Sequence, residues 1–317
     1  MTITFGPVPS RRLGRSLGIN NIPPKSCSYS CLYCQVGATQ GQTVVPREFY
    51  QPLEIRQAVE LQVQKVREAN EAVDYLTFVP DGEPGLDSNL GKSIELLRPL
   101  GIPIAVISNA SLLWQPAVRS AIGKADWVSV KVDSVLEAVW RRLNRPHDTL
   151  LLSEVLDGIR IFAREFCGNL VSETMLIENV NDDIDNVAAV AEFLQDVGIA
   201  TAYLAIPTRP TAEPAAKGPS EIVLNRAYQQ LAMSVPNVEY LIGYEGDAFA
   251  YSGDIQDDLL SITAVHPMRK SAVRALLKKA GADWRVVEQL IMDGKLVKTD
   301  YQGEEYFLRR FEKQKAK

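Results

Sequence analysis

Three of the four cysteines lie on one short segment, Cys27-Ser28-Tyr29-Ser30-Cys31-Leu32-Tyr33-Cys34, and the fourth, Cys167, is far downstream. Thiolates at this spacing on a tight loop can hold three corners of a cubane iron–sulfur cluster, whereas full ligation by protein would need a fourth cysteine. One iron would therefore stay open to a substrate or cofactor. The segment predicts reaction chemistry at Cys27, Cys31 and Cys34 rather than plain electron transfer.

A structural zinc site and a disulfide are the competing interpretations of these cysteines. Structural zinc needs four ligands, usually from two separated pairs, and neither His147 nor His266 lies in a zinc-knuckle context. A disulfide would suit a secreted chain, but residues 1–10 lack the apolar core of a signal peptide. We therefore expect neither.

The composition is that of an ordinary globular enzyme. Hydrophobic residues make up 46% of the 317 residues and charged residues 23%, with a formal net charge of −5, which allows a sizeable core. No apolar run approaches the roughly 18 residues that span a bilayer. We expect a cytoplasmic protein without membrane contact, in a reducing compartment that preserves the cluster.

Apolar periodicity predicts strands that alternate with helices along most of the chain. The predicted strands are 17–20, 75–79, 104–107, 127–132, 170–177 and 201–206, and the predicted helices are 53–70, 88–97, 115–122, 151–166 and 186–197. Such alternation builds a parallel sheet through right-handed crossovers. The predicted α/β fold is a partial (β/α)6 barrel over residues 1–250.

Ligands bind at the carboxyl ends of parallel strands, so the residues that close each predicted strand are candidates. Hydroxyl and carboxamide groups there suit hydrogen bonds to a ribose or a carboxylate. Lys131 can bind an anionic group or form a salt bridge to Asp133 or Glu173, and Glu173 needs a partner because a buried lone carboxylate is costly. The other candidates at strand ends are Ser108, Asn109, Ser129 and Thr174.

The spacing Cys-x3-Cys-x2-Cys, with Tyr33 before the last cysteine, resembles the signature of the radical S-adenosylmethionine superfamily. The resemblance implies one [4Fe–4S] cluster on Cys27, Cys31 and Cys34, whose open iron chelates S-adenosylmethionine. It implies reductive cleavage of that cofactor to methionine and a 5′-deoxyadenosyl radical, which abstracts hydrogen from a substrate. The cofactor supplies the radical and the protein orients it, with Tyr33 near the adenine.

The segment Pro80-Asp81-Gly82-Glu83-Pro84 resembles the Gly-Gly-Glu motif that meets the methionine amino group in this superfamily, with Asp81 in place of the first glycine. The resemblance implies that Gly82 and Glu83 bind the cofactor. A plain Asp-Gly turn is the alternative. By the same resemblance, the cofactor or substrate cavity would be lined by Asn109, Ser129, Lys131 and Asp133.

Residues 6–20 and Leu143-Asn144-Arg145-Pro146-His147 resemble the branch that contains the wyosine tRNA synthases. Those enzymes carry a second cysteine triad for an auxiliary cluster, and this chain has no cysteines from which to build one. We therefore expect a related reaction on another substrate.

A basic cluster near the cysteine loop suits an anionic substrate or an electron donor such as flavodoxin or ferredoxin. A solvated basic face is the alternative. Its members are Arg11, Arg12, Arg15 and Lys25.

A shift in charge marks a C-terminal unit, because residues 266–317 hold 13 basic and 7 acidic residues. Helices at 268–279 and 284–292 and a hairpin at 295–308 follow the plan of a winged helix-turn-helix, after a linker at 251–265. Arg285 is the only cation of the candidate recognition helix, which is poor for binding phosphate. RNA contact and protein or peptide contact stay equally open for this module.

Two classes of function remain. The first is a radical enzyme that acts on an RNA base or a peptide, and the alternative is an iron–sulfur redox sensor that binds nucleic acid. A sensor needs no barrel and no Gly82–Glu83 turn, which favours the enzyme. Specificity is expected to depend on Lys131, Glu173, Arg209 and the loop 244–247, while Cys167 is expected to be buried at the end of a helix.

Overall fold

The computed structural model describes residues 2–39, 41–243 and 246–310. An eight-stranded sheet dominates it, and the strands lie side by side in chain order. The first pair is antiparallel and every later pair is parallel. The strands are β1 Thr4–Ser10, β2 Gly14–Ile19, β3 Tyr75–Phe78, β4 Ile104–Ser108, β5 Trp127–Lys131, β6 Asn169–Met175, β7 Thr201–Ala205 and β8 Asn237–Leu241.

Helices connect the parallel strands and cover one face of the sheet. A buried apolar stripe on each helix packs against the outward residues of the strands, such as Val128 and Val130 of β5. The helices are α1 Pro52–Glu68, α2 Leu90–Leu97, α3 Pro116–Ile122, α4 Glu137–Asn144, α5 Leu152–Glu165, α6 Ile184–Val197 and α7 Glu221–Ala232, with short 3-10 helices at Pro84–Leu86 and Arg98–Leu100.

The opposite face of the sheet curves around an internal cavity. Side chains of β1 to β8 all reach this cavity, among them Val8, Ser16, Lys131 and Leu241. A flat sheet could not bring its first and last strands to one cavity, so the sheet is curled in the manner of a partial barrel. The part of the fold that the sequence predicted is this parallel α/β sheet.

The C-terminal residues form a helical unit with a small antiparallel sheet. Its three strands lie in the order Leu296–Tyr301, Glu304–Arg309 and Met268–Arg269. Apolar residues of this unit share a core with Phe5 and Val8 of β1, and the amide of Ala250 donates to the carbonyl of Pro7 at 3.1 Å. The elements are α8 Ile255–Val265, β9 Met268–Arg269, α9 Lys270–Lys279, α10 Arg285–Met292, β10 Leu296–Tyr301 and β11 Glu304–Arg309.

Several sequence predictions differ from this architecture. Seven parallel strands are present instead of six, because β8 was missed, and β1, α4 and α7 were missed as well. The expected linker 251–265 contains α8, which begins where the Asp254 side chain accepts amide bonds from Gln256 and Asp257. The helix expected from residue 268 begins at Lys270, because residues 268 and 269 form the two-residue strand β9. The order helix, helix, hairpin is present, while the winged-helix identity of the unit stays a prediction.

Among the described residues, no helix combines the length and the apolar character that a membrane crossing requires.

We predict that Gly18→Ala loosens the junction between β1 and β2. A Cβ at Gly18 would overlap the Phe5 ring, which belongs to the core shared with the C-terminal unit. Overpacking of this kind typically costs about 1–3 kcal/mol. Urea unfolding should show lower stability, and limited proteolysis should release the C-terminal unit sooner. Gly243→Ala is the control, because its nearest neighbour is an Arg11 side-chain nitrogen at 4.0 Å. Equal stability of both variants would contradict the packing argument.

Candidate functional site

The cysteine loop follows β2 at the carboxyl edge of the parallel sheet. Cys27, Cys31 and Cys34 all lie on it and are half-buried. The amide of Cys34 donates to the carbonyl of Cys31 at 3.2 Å, and the amide of Thr43 donates to the carbonyl of Cys27 at 3.1 Å. These bonds fold the loop back on itself, and the thiols lie close enough that, besides burial, Cys31 and Cys34 raise the pKa of Cys27.

Two asparagines donate hydrogen bonds to the thiol sulfurs. Asn109 follows β4, and its Nδ2 lies 3.5 Å from Cys27 Sγ. Asn144 ends α4, and its Nδ2 lies 3.5 Å from Cys31 Sγ. Amide donors to sulfur are one of the means by which proteins set the potential of an iron–sulfur cluster. Asn109, a predicted cofactor-binding residue, therefore contacts the cysteine loop itself.

Burial raises the pKa of all three thiols. It raises the pKa of Cys31 to about 12, where the Asn144 hydrogen bond opposes it and the charges of Asp133 and Cys34 add to it. Burial also raises the pKa of Cys27, with a further contribution from Cys31, and that of Cys34. Without a metal the thiols are protonated at neutral pH, and ligation would have to displace the protons.

The donor set fits an iron–sulfur cluster. Within residues 2–39, 41–243 and 246–310, no three His, Cys, Asp or Glu side chains are grouped so as to hold one metal ion. A cubane cluster does not need such a group, because each thiolate binds a different iron. The loop offers three thiols that lie close enough to influence one another electrostatically. Two of them also accept hydrogen bonds from side-chain amides. This set of donors meets the requirements of a cubane cluster.

The segment 143–147 is bound to the cysteine loop by backbone hydrogen bonds. The amides of Ser30 and Leu32 donate to the carbonyls of Asn144 and Leu143, at 3.1 and 3.0 Å. The amide of His147 donates to the carbonyl of Ser28 at 2.8 Å. The sequence segment that carried the resemblance to the wyosine branch thus supports the loop that bears the thiols.

The turn after β3 holds the other side of the cysteine loop. Gly82 forms a parallel bridge with Ser26, and the amide of Glu83 donates to the Ser26 carbonyl at 3.0 Å. Gly82 has φ +151°, and a Cβ there would run into the Ser26 carbonyl. Glycine is therefore required at this position by the close approach of two backbones.

The carboxylate of Glu83 is buried, and both of its oxygens accept hydrogen bonds from the protein. Its Oε1 accepts from the Gly85 amide at 2.9 Å and from Ser108 Oγ at 2.8 Å, and its Oε2 accepts from the Asn109 amide at 2.7 Å. Burial raises its pKa to about 7 although these bonds oppose the shift. Glu83 therefore braces the end of β4 against the turn, and its contact with a cofactor stays a prediction.

A second buried network joins the cysteine loop to the ends of β5 and β6. Tyr33 Oη donates to Asp133 Oδ2, which also accepts from Asn144 Nδ2 at 2.8 Å. Asp133 Oδ1 accepts from the amide of Met175 at 2.8 Å. Tyr33, Asp133 and the thiol of Cys31 are thus connected through Asn144, which gives the predicted pair Tyr33 and Asp133 one common location.

Lys131 and Glu173 form an ion pair on the inner face of the sheet. Lys131 Nζ lies 2.8 Å from Glu173 Oε1 and 4.8 Å from the centre of the Tyr33 ring. Glu173 Oε2 pairs with Arg12 Nη1. Burial alone would raise the pKa of Glu173, but Lys131 and Arg12 outweigh it and hold the pKa at about 2. The sequence left open whether Lys131 binds an anionic group or forms a salt bridge, and the structure contains the salt bridge to Glu173.

Lys131 keeps its proton at neutral pH. Burial alone would lower its pKa, but the carboxylates of Glu173 and Asp133 outweigh this effect, and the pKa lies above its ordinary value. An ammonium is a binding group for anions and a poor nucleophile. Lys131 is therefore suited to charge recognition.

Ser129 lies between Trp127 and Lys131 on β5, and its side chain is fully buried. Its Oγ has no hydrogen-bond partner in the described part of the chain. Ser129 is not among the residues that line the cavity, and its contact with a cofactor stays a prediction.

The four cations of the predicted basic cluster do not form one solvated face. Arg12 turns inward to Glu173, and its guanidinium carbon lies 6.0 Å from the centre of the Trp127 ring. Arg15 pairs with the exposed Asp74 at 2.7 Å, and Lys25 lies 3.3 Å from the buried Asp81. Burial raises the pKa of Asp81 to about 6 although Lys25 opposes it.

The remaining candidates have mixed outcomes. Arg209 lines the cavity and donates to Gln35 Oε1 at 2.9 Å. In the loop 244–247, residues 244 and 245 lie outside the described residues. The expectation that Cys167 is buried was wrong, because its side chain is exposed just beyond α5. Asn144 was missed as a site residue, although it stands inside a segment that the sequence singled out.

Comparison with known proteins relates the chain to one family. Residues 21–193 match the family model of the Radical SAM superfamily. The UPF0026 protein of Methanocaldococcus jannaschii is 43% identical over 311 residues, which cover 98% of this chain and 96% of that protein. A UPF0026 protein of Helicobacter pylori is 30% identical over 240 residues, which cover 74% of this chain and 76% of that protein.

Solved structures share the fold. A structure of TYW1 with a lysine–pyruvate adduct bound superposes with a TM-score of 0.53 at 15% identity, over 70% of this chain and 74% of that chain. Streptococcus suis SuiB bound to S-adenosylmethionine gives a TM-score of 0.52 at 11% identity, over 70% of this chain and 49% of that chain.

We predict that Gly82→Ala displaces the cysteine loop and lowers the iron content of the reconstituted protein severalfold. The new Cβ would collide with the Ser26 carbonyl, which neither backbone can relieve without breaking the bridge. Gly37→Ala is the matched control. Gly37 also has a positive φ, but its nearest neighbour is Lys25 Nζ at 3.6 Å, so it tests the backbone strain of about 1–2 kcal/mol alone. Iron binding at the wild-type level in Gly82→Ala would overturn this account.

We predict that the apoprotein loses stability as pH rises from about 4.5 to 7. In the folded chain the pKa of Glu83 is about 7 instead of 4.5, so the folded state keeps a proton that the unfolded state has lost. This group changes the free energy of unfolding by at most roughly 1.4 kcal/mol per pH unit. Glu83→Gln should reduce the change of the free energy of unfolding with pH, measured by urea titrations at several pH values under reducing conditions. Glu68→Gln on α1 should leave that pH dependence unchanged. An unchanged slope in Glu83→Gln would refute the assignment.

Proposed function

Because the chain belongs to the radical S-adenosylmethionine superfamily, as the cysteine spacing predicted, we propose that it is an enzyme that generates a 5′-deoxyadenosyl radical and abstracts hydrogen from a substrate. Cys27, Cys31 and Cys34 would hold its single [4Fe–4S] cluster. When bound and reduced, the cluster would supply the electron that cleaves S-adenosylmethionine. The observation that carries the proposal is the position of the three thiols at the carboxyl edge of a parallel sheet, next to the cavity that Cys34 lines.

The cofactor would bind between the cysteine loop and the ends of β3, β4 and β5. Lys131, which stays an ammonium, can pair with a carboxylate, and the buried hydroxyl of Ser129 can accept or donate a further bond. Tyr33 and Asp133 would line the cofactor site in fixed positions, because a hydrogen bond joins their side chains. The proposed cofactor-binding residues are Tyr33, Gly82, Glu83, Asn109, Ser129, Lys131 and Asp133.

Lys131 would bind a substrate or cofactor through charge and not through a covalent bond. In this chain Glu173 and Asp133 favour the protonated amine. The missing second cysteine triad supports a reaction different from wyosine formation.

The substrate would be an RNA base, a peptide or a smaller molecule, and the electron donor a flavodoxin or ferredoxin in the cytoplasm. The C-terminal unit gives little support to phosphate binding, because Arg285 of α10 pairs with Asp283 at 2.5 Å and Glu288 is exposed beside it. The same surface disfavours the redox-sensing regulator, which would need that helix to bind nucleic acid.

The proposal is tested by incubating the anaerobically reconstituted protein with dithionite and S-adenosylmethionine. We expect 5′-deoxyadenosine and methionine in the wild type, and loss of both iron and products in Cys31→Ala. Cys167→Ala should keep iron and products, since this exposed thiol precedes β6, at the edge of the sheet opposite to the loop. An intact cluster that yields no 5′-deoxyadenosine would reject the enzymatic function, and iron loss in Cys167→Ala would reject the ligand assignment.

A further inference from the structure

Two asparagine side chains direct their amide nitrogens at sulfurs of the cysteine loop. Asn109 Nδ2 lies 3.5 Å from Cys27 Sγ, and Asn144 Nδ2 lies 3.5 Å from Cys31 Sγ. The two asparagines come from different parts of the fold, since Asn109 directly follows β4 and Asn144 ends α4. Two of the three thiols on the loop are thus each bonded to a side-chain amide that another element supplies.

The neighbours of each side-chain amide fix which of its two polar atoms faces the sulfur. Asn109 Oδ1 accepts from the backbone amide of Ser111 at 2.9 Å, and a backbone amide can only donate. Asn144 lies 2.8 Å from Asp133 Oδ2, and a carboxylate can only accept, so the atom at this contact is the nitrogen. In both asparagines the NH2 group, and not the carbonyl oxygen, is therefore the group that faces the sulfur.

The amide of Asn144 has a second hydrogen that the sulfur can accept. Its nitrogen carries two hydrogens, and Asp133 accepts one of them. The other is shared between Cys31 Sγ and Tyr33 Oη, which lies 3.2 Å from Asn144 Nδ2. A cysteine sulfur that binds a metal is a thiolate, and hydrogen bonds to charged acceptors are stronger than those to neutral ones. Ligation of iron by Cys31 would therefore draw this hydrogen from the phenol to the sulfur.

Both asparagines are held in place by groups other than the sulfurs. Asn144 is buried, and the Asp133 carboxylate that orients it also accepts from the amide of Met175 at 2.8 Å. The backbone amide of Asn109 donates to Glu83 Oε2 at 2.7 Å. Since these donors are oriented before any cluster binds, they lose little conformational freedom when they bond to a thiolate.

We propose that Asn109 and Asn144 set the reduction potential of the cluster by donating hydrogen bonds to Cys27 and Cys31. Reduction adds one electron to the cluster, and the thiolate sulfurs share part of the added negative charge. A hydrogen-bond donor stabilises the reduced state more than the oxidised state and so raises the potential. The proposal rests on the proposed radical function, since it concerns the cluster of that reaction.

In this role the two asparagines are positioning residues, because they act on the cluster through the cysteines. Leucine is the informative replacement, since it keeps the approximate size and shape of the asparagine side chain and has no donor. An asparagine with a merely structural role would change the stability or the iron content when replaced. One that tunes the cluster should also lower the reduction potential of the cluster that remains.

The test is a redox titration of the full-length, anaerobically reconstituted protein with dithionite and redox mediators, without S-adenosylmethionine. Electron paramagnetic resonance measures the fraction of reduced cluster at each potential. We expect Asn144→Leu and Asn109→Leu each to lower the equilibrium constant for reduction by about tenfold, which is about 59 mV in the midpoint potential of a one-electron couple. The double variant should have a lower potential than either single variant.

Asn186→Leu is the matched control. Asn186 is also a buried asparagine, but its Nδ2 donates to the carbonyls of Asn181 and Asp133, at 2.9 and 3.4 Å, and not to a sulfur. A loss of stability near the site, without loss of a donor to sulfur, should leave the wild-type potential in this variant.

Iron and sulfide contents and circular dichroism are measured for every variant, and Asn109→Leu alone decides if Asn144→Leu does not fold. An unchanged or higher potential in the Asn109 and Asn144 variants, or an equal shift in Asn186→Leu, would overturn the proposal. Formation of 5′-deoxyadenosine by the wild type is measured separately, so the radical function can stand when the tuning role fails. A wild-type protein that binds no cluster would reject both.

Discussion

The backbone hydrogen bonds on both sides of the cysteine loop are the constraint on which the rest of the site depends. Ser26 is bonded to the turn at Gly82 and Glu83, while residues 28–32 are bonded to segment 143–147. The thiols of an isolated loop would sample many arrangements, and each fixed residue costs about 1–2 kcal/mol of entropy. Here the sheet and α4 have already fixed the loop, so the positions of the sulfurs are set by the fold.

The same supports also order the charges around the thiols. Glu83 braces β4 so that Asn109 reaches Cys27, and Asp133 holds both Tyr33 and the Asn144 that reaches Cys31. The buried carboxylates of Glu83 and Asp133 each accept several hydrogen bonds, as burial demands. Glu83 and Asp133 both hold the asparagines in place and carry charge near the sulfurs. Substitutions of these residues would therefore alter the positions of the thiols and the electrostatic potential around them together.

The sequence was sufficient for features with local or periodic signals, and insufficient for those that arise from distant contacts. The cysteine spacing and the alternation of strands and helices were visible directly. β1 was missed because its Gly6, Pro7 and Pro9 interrupt any strand pattern, and β8 because it is short and partly exposed at the edge of the sheet. The inward turn of Arg12 to Glu173 depends on the curl of the whole sheet, for which no short segment carries a signal.

The C-terminal unit packs against the sheet and contributes residues to the lining of the cavity. Its apolar core includes Phe5 and Val8 of β1, and Tyr306 Oη donates to the carbonyl of Thr208 at 2.9 Å, beside Arg209. It therefore covers the antiparallel edge of the sheet, which would otherwise expose unpaired backbone groups. A unit that shares a core with β1 cannot turn away without exposing that core. Val265 and His266 at the end of α8, which line the cavity, are consequently held in place by the same core.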